Sequence, residues 1–373
     1  MIRSQLNVIL QDLKKKIVLL VGPRQAGKTT LAKEIATHYK KSIYLNYDHM
    51  PDRKVIEQQS WLSDNHLLIL DELHKMPNWK NYLKGIYDTK SPDLHILVTG
   101  SARLDVYDKI GDSLAGRYFR HRLLPLSPSE MAQSSPNTAS LTHFIERGGF
   151  PEPFFAQSDL EARRWRAQYT DSLLSTDIFE IETIHNLKGM RTVFELLRHR
   201  VGSPVSYQSL AEDVGVAPTT IKRYIEILAA VYVIFIITPF SKNIARSLLK
   251  EPKIYFFDTG LVEGAGPKIE NLVAVSLLKS VYGRNDQLAE PCALHYIRTK
   301  DGQEIDFAVV NNSIVEHAIE VKVSDQTISK TLYNFKKQYG FDSIQLVQSI
   351  KNDYLDKGIK VLSVESYLKE LFL

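Results

Sequence analysis

The feature that most constrains this chain is the stretch Gly22, Pro23, Arg24, Gln25, Ala26, Gly27, Lys28, Thr29, Thr30. It follows an apolar run, Ile17-Val-Leu-Leu-Val21, and leads into a helix-compatible one, Thr30-Leu-Ala-Lys-Glu-Ile-Ala36. Glycines at both ends of such a strand-to-helix turn let the backbone wrap closely around a phosphate. Successive N–H groups and the helix N-terminus then bind the negative charge. In this pattern Lys28 reaches the β- and γ-phosphates, and the Thr29 hydroxyl ligates Mg²⁺. All nine residues are therefore expected at a nucleotide, with ATP and Mg²⁺ as cofactors.

A second element follows in the expected order. Leu67-Leu-Ile-Leu70 is an apolar run that ends in two acids, Asp71 and Glu72. Asp71 is expected to hold the Mg²⁺ and Glu72 to polarise the attacking water. The next run, His95-Ile-Leu-Val-Thr99, continues into Gly100-Ser101 and places polar groups at the carboxyl end of the sheet, where ligands of open α/β sheets bind. Thr99 or Ser101 orients the water or caps the turn, and the residues alone leave both open. Ser101 is carried forward as a catalytic candidate beside Lys28 and Glu72.

These runs, with Ser42-Ile-Tyr-Leu-Asn46, lack polar alternation and are separated by helical stretches. That pattern predicts a parallel sheet covered on both faces, a three-layer α/β core. With 373 residues, two to four domains are expected. Hydrophobic residues at 44% and charged residues at 24% fit a folded chain rather than a disordered one. The net charge of +4 permits a nucleic-acid partner without arguing for one. A single cysteine, Cys292, excludes an internal disulfide and fits a reducing compartment. No apolar run approaches the roughly 20 residues of a spanning helix, and Met1-Ile-Arg-Ser-Gln-Leu6 lacks a signal-peptide layout. The expectation is a cytoplasmic protein without membrane association.

The order of these elements resembles the AAA+ ATPases, and within them the prokaryotic group whose ATPase is fused to an uncharacterised C-terminal domain. The resemblance is carried by the phosphate loop and by Asp71-Glu-Leu-His-Lys75, Thr99-Gly-Ser-Ala-Arg103 and Ser113-Leu-Ala-Gly-Arg117. Two later stretches add to it, Gly148-Gly-Phe-Pro-Glu-Pro153 and Lys253-Ile-Tyr-Phe-Phe-Asp-Thr-Gly260. The resemblance implies a helical lid and a transition-state arginine, often supplied by a neighbouring subunit. Arg117 fits best, ahead of Arg103 and Arg120, and a structural ion pair is the competing reading for each. An arginine acting in trans implies a homo-oligomer, with a hexameric ring as one form.

Further along, Ser206-Tyr-Gln-Ser-Leu-Ala-Glu-Asp-Val214 reads as a short helix, Gly215 as a turn and Val216-Ala-Pro218 as the opening of a second helix. Ile221, Tyr224, Ile225 and Leu228 form one apolar stripe at helical spacing. Thr219, Thr220, Lys222 and Arg223 fall on the other face, suited to phosphates and base edges. Because Val231-Tyr-Val-Ile-Phe-Ile-Ile237 fits a following strand, a winged helix that binds DNA is expected. Lys242, Arg246, Lys250 and Lys253 extend a basic strip or form a solvated face.

Near the end, Asp306 closes Gly302-Gln-Glu-Ile-Asp306, and Ile319-Glu320-Val-Lys322 follows. Glu320 and Lys322 share one strand face because the side-chain period is two. Charges on so apolar a strand require pairing or a metal. The arrangement resembles the PD-(D/E)XK nucleases, with Ile305 where the family name has proline. The resemblance implies Mg²⁺ at Asp306 and Glu320, with Glu270 as a further acid and Lys322 positioning water. A structural salt bridge from Lys322 is the alternative.

The expected organisation is an ATPase core over 1–130, a helical lid over 131–190, a winged helix over 191–250 and a nuclease-like α/β domain over 251–373. The expected activity is Mg-dependent ATP hydrolysis coupled to DNA binding and remodelling, of branched or recombination intermediates, with cleavage by the last domain left open. The alternative is an ATP-controlled regulatory or defence switch that acts on a protein partner.

Overall fold

The computed structural model describes residues 3–100, 114–134, 140–178, 186–241, 251–299, 302–324 and 327–373. The chain divides into two units, residues 1–124 with 230–232, and residues 125–229 with 233–373.

The first unit begins with α1 (Leu6–Leu13), β1 (Ile17–Val21), α2 (Lys28–Ala36) and β2 (Ser42–Asn46). It continues with α3 (Met50–Gln58), β3 (Leu67–Asp71), α4 (Trp79–Thr89), β4 (His95–Gly100) and β5 (Tyr118–Arg122). Among the described residues the five strands form one parallel sheet, ordered β2-β3-β4-β1-β5. Alternation along β1 sends Ile17, Leu19 and Val21 into one apolar cluster, and Val18 and Leu20 into another on the opposite face. A strand buried on both sides explains why these segments read as unbroken apolar runs. The expected α/β core is thus present. β5 departs from that pattern: Tyr118-Phe-Arg-His-Arg122 is an edge strand with polar side chains, one of which, His121, is fully buried against Asp12 (2.9 Å).

The second unit opens with α5 (Pro128–Ser134), α6 (Leu141–Arg147), α7 (Pro151–Phe155) and α8 (Asp159–Ser172). Lys279, further along the chain, donates to Pro125 O at 2.9 Å and pairs with Glu130, and both charged side chains are buried. Next come α9 (Leu187–Arg198), α10 (Tyr207–Val214) and α11 (Pro218–Ala230). Between α10 and α11, Gly215 adopts φ 73° as the helix cap. Ile221, Tyr224, Ile225 and Leu228 of α11 are all buried, as their spacing predicts. β6 (Ile234–Ile237) pairs antiparallel with β7 (Lys253–Phe256). Lys242, Arg246 and Lys250 lie outside the described residues, as do Ser101 and Arg103.

A long helix, α12 (Ala265–Leu288), leads into β8 (Cys292–Arg298), β9 (Glu304–Asn311) and β10 (Ile314–Lys322). Then follow α13 (Lys330–Tyr339), β11 (Asp342–Val347), β12 (Tyr354–Asp356), β13 (Ile359–Ser363) and α14 (Val364–Glu370). Among the described residues these strands form a six-stranded mixed sheet, ordered β12-β13-β11-β10-β9-β8. Its β8-β9-β10 meander is antiparallel, whereas β10, β11 and β13 run parallel. Among the described residues no helix is long and apolar enough to cross a membrane.

Candidate functional site

The phosphate loop leaves β1 at the carboxyl end of the first sheet. Gly22 sits at φ 146°, and a Cβ there would meet Leu123 O at 2.2 Å, so no other residue fits the turn. Gly27, at φ 97°, forms the N-cap position of α2, and Gln25 also has a positive φ of 60°. Pro23 and Ala26 are buried, while Arg24, Gln25 and Thr30 are exposed. The buried Lys28 folds back so that its Nζ donates to Gly22 O (3.0 Å) and Pro23 O (2.7 Å). Those carbonyls are neutral acceptors. A phosphate is a stronger partner for an ammonium than either carbonyl.

Asp71, also buried, collects hydroxyl donors at the end of β3. Thr29 Oγ1 donates to its Oδ2 at 3.2 Å, and the Tyr44 hydroxyl donates to the same oxygen. Thr99 Oγ1 and the Glu72 N–H (3.1 Å) donate to Oδ1. Four converging donors fix the carboxylate's orientation. Hydroxyl and carboxylate oxygens this close are the hard donor set that Mg²⁺ takes, so Thr29 and Asp71 fit the expected metal. Thr99 is thereby accounted for, since its hydroxyl is turned toward Asp71.

Glu72 has φ 55°, a left-handed conformation that a non-glycine residue adopts at a cost of order 1–3 kcal/mol. Its N–H also donates to Thr99 O (3.0 Å), which holds the turn in place. The carboxylate lies 3.6 Å from the Nε2 of buried His74. Burial, then the charge of Asp71, pushes the Glu72 carboxyl up to about 7, while Lys28 and Lys75 pull the other way. An acid poised there serves as a general base near neutral pH.

Arg117 lies at the other end of the sheet. β1 and β5 are parallel with Ile17 opposite Tyr118, and Ile17 N donates to Arg117 O (3.1 Å). The phosphate loop begins beyond Val21, about 13 Å further along at ~3.3 Å per residue. The Arg117 guanidinium makes a two-point pair with Asp88 on α4, at 3.0 and 3.4 Å. The structure therefore joins Lys28, Thr29, Asp71 and Glu72, and does not bring Arg117 to them within one chain. Tyr44 was missed in the sequence because Ser42–Asn46 reads as a strand with no chemistry.

A second group of charges, half-buried around a buried centre, lies in the second unit. Glu270 of α12, Glu304 and Asp306 of β9, and Glu320 and Lys322 of β10 gather as the spacing suggested, but around a residue not expected there. Lys253 of β7 is fully buried, which corrects its assignment to an exposed basic strip. Its Nζ lies 2.7 Å from Glu304 Oε1, 3.4 Å from Asp306 Oδ1 and 3.6 Å from Glu270 Oε1. Burial alone would lower its pKa, but Asp306, Glu270 and Glu304 hold the ammonium form well above the usual lysine range. Burial and the neighbouring Asp306 push Glu270 and Glu320 up to about 7. Lys322 Nζ donates to Glu320 Oε1 at 2.8 Å, the alternative pairing that the sequence allowed. Among the described residues no group of three or more His, Cys, Asp or Glu is arranged to hold a metal ion. The ammonium of Lys253 thus stands among Glu270, Asp306 and Glu320, the acids expected to hold Mg²⁺.

On α11, Thr219, Lys222 and Arg223 are exposed and Thr220 is half-buried. Arg223 pairs with Glu226 at 3.5 Å.

The family model described as an AAA domain matches residues 14–132. Two models described as domains of unknown function, DUF8612 and DUF4143, match residues 138–267 and 265–367. The uncharacterized protein Rv2008c of Mycobacterium tuberculosis is 29% identical over 325 residues, covering 85% of this chain and 72% of its own length. The uncharacterized protein MJ1544 of Methanocaldococcus jannaschii is 24% identical over 98% of this chain and 89% of its own. Among solved structures, the Walker-type ATPase PABY2304 of Pyrococcus abyssi is similar at 14% identity and a TM-score of 0.44, covering 69% of this chain and 93% of that one. The AAA-domain match and the parallel sheet with its phosphate loop support an AAA-type ATPase with a C-terminal domain.

Proposed function

We propose that this chain hydrolyses Mg-ATP at the loop 22–30 and couples hydrolysis to binding and remodelling DNA. The observation that carries the hydrolytic half is the convergence of Thr29, Asp71 and Glu72 beside a buried lysine that donates to two carbonyls of its own loop. On this reading Gly22 to Thr30 wrap the phosphates with backbone N–H groups. Lys28 leaves the Gly22 and Pro23 carbonyls for the β- and γ-phosphates. Thr29 and Asp71 would hold Mg²⁺, which when bound screens the phosphate charge and so favours in-line attack. Glu72 takes a proton from the attacking water, and Thr99 keeps the Asp71 carboxylate aligned. Ser101 is retained as a further candidate for orienting that water. Arg117 would act on the phosphates of a neighbouring copy in a homo-oligomeric ring, exchanging Asp88 for them.

The DNA half rests on the order α9, α10, Gly215, α11 and the β6–β7 pair, which we read as a winged helix. Thr219, Thr220, Lys222 and Arg223 on α11 would contact phosphates and base edges. The four-part organisation, with boundaries near 130, 190 and 250, belongs to the same reading.

The test is the ATPase rate of the full chain with single-stranded, duplex and branched DNA. Stimulation by at least one of them, weakened by salt and by Lys222→Ala with Arg223→Ala, is expected. Hydrolysis indifferent to all three, with no salt-sensitive binding, removes the DNA half. It would favour the ATP-controlled switch acting on a protein.

A further inference from the structure

The acidic cluster already contains a cation, and the chain supplies it. Alternation along β7 puts Lys253 and Tyr255 on one face, directed at Glu270, Glu304 and Asp306. The acids are engaged elsewhere as well. Glu270 Oε1 accepts from the Tyr255 hydroxyl (2.7 Å), and Asp306 Oδ2 from Val321 N (2.9 Å). Glu320 Oε1 accepts from Lys322 (2.8 Å). A Cβ on Gly202 would lie 2.6 Å from Glu270 Oε2, so backbone presses on that carboxylate from another side. Lys253 also lies over the ring of Tyr296, 5.5 Å from its centroid.

We infer that Lys253 is the resident cation of this cluster, making it an ion lock between β7 and the six-stranded sheet rather than a divalent-metal site. Mg²⁺ demands six oxygens in near-ideal octahedral array at about 2.0–2.1 Å. To reach Asp306 it would have to displace an ammonium that three carboxylates hold. The lysine cannot simply swing away. Its side chain is 1% exposed, and its backbone is fixed by the Ile237–Lys253 pairing and by Val205 N donating to Pro252 O (2.8 Å). Withdrawing the charge means moving the strand. The lock goes beyond the ATPase reading and stands or falls without it.

Mn²⁺ titration of the nucleotide-free full chain, followed by the electron paramagnetic resonance of the free ion, tests the inference. The wild type and Asp306→Asn should titrate alike, because no ion binds at the cluster in either. Lys253→Met should gain one saturable site, absent when Asp306→Asn is added. If Lys253→Met does not fold, the wild type against Asp306→Asn and Glu320→Gln still decides. A wild-type Mn²⁺ site that either acid variant abolishes overturns the inference. So does a folded Lys253→Met that gains no site.

Discussion

Lys28 and Lys253 are both buried lysines near carboxylates, and their partners separate them. Lys28 donates to two neutral carbonyls of its own loop, 5 and 6 residues away in sequence. Lys253 is held by three carboxylates from elements far along the chain. A neutral acceptor is readily exchanged for a phosphate, whereas leaving three half-buried carboxylates strands their charge. The comparison teaches that burial of a lysine does not mark a functional site. What it is bound to decides whether it can be handed to a ligand.

The largest expected effect breaks or confirms the first half of that contrast. Lys28→Ala should lower ATP hydrolysis by ~100-fold or more, with little change in the unfolding midpoint. A large loss of stability instead would mean that Lys28 is as structural as Lys253. Glu304→Gln removes the 2.7 Å partner of Lys253 and should destabilise the second unit by about 2 kcal/mol in denaturant titration. An unchanged midpoint would show that the lock carries no weight. For pH, Glu72 must be ionised to accept a proton, and its carboxyl is pushed up to about 7. The kcat/KM for ATP should therefore fall ~10-fold per pH unit below that value and level off above it. A flat profile from pH 5 to 8 would remove Glu72 as the base. The smallest effect belongs to Tyr44→Phe, which deletes one donor to Asp71 and should weaken Mg-dependent activity by about 1 kcal/mol. The change should appear mainly in the Mg²⁺ concentration needed for half-maximal rate.

How much of this was legible in the sequence follows the same division. The phosphate loop and Leu67–Glu72 are contiguous and ordered, so chemistry and fold could be read together. The stripe Ile221, Tyr224, Ile225, Leu228 was legible because helical period alone determines which side is buried. Lys253 was not, since its partners lie 17, 51 and 53 positions away at 270, 304 and 306. Next to Lys242, Arg246 and Lys250 it looks like one more surface charge. The strand alternation that pairs it with Tyr255 was the available signal. β5 hid because an edge strand carries polar residues, and Asp342–Ser363 because its short strands alternate with turns. For Arg117, Ser-Leu-Ala-Gly-Arg suggested a role, but only the parallel register of β1 and β5 shows it at the far end of the sheet.

The central claim is that Glu72, set beside Asp71 in a strained turn, drives hydrolysis rather than binding. It is tested most directly by measuring ATP affinity and steady-state phosphate release on the same preparation of Glu72→Gln. The account predicts wild-type affinity for Mg-ATP with release reduced by ~100-fold or more. Phosphate release at the wild-type rate from Glu72→Gln would contradict it.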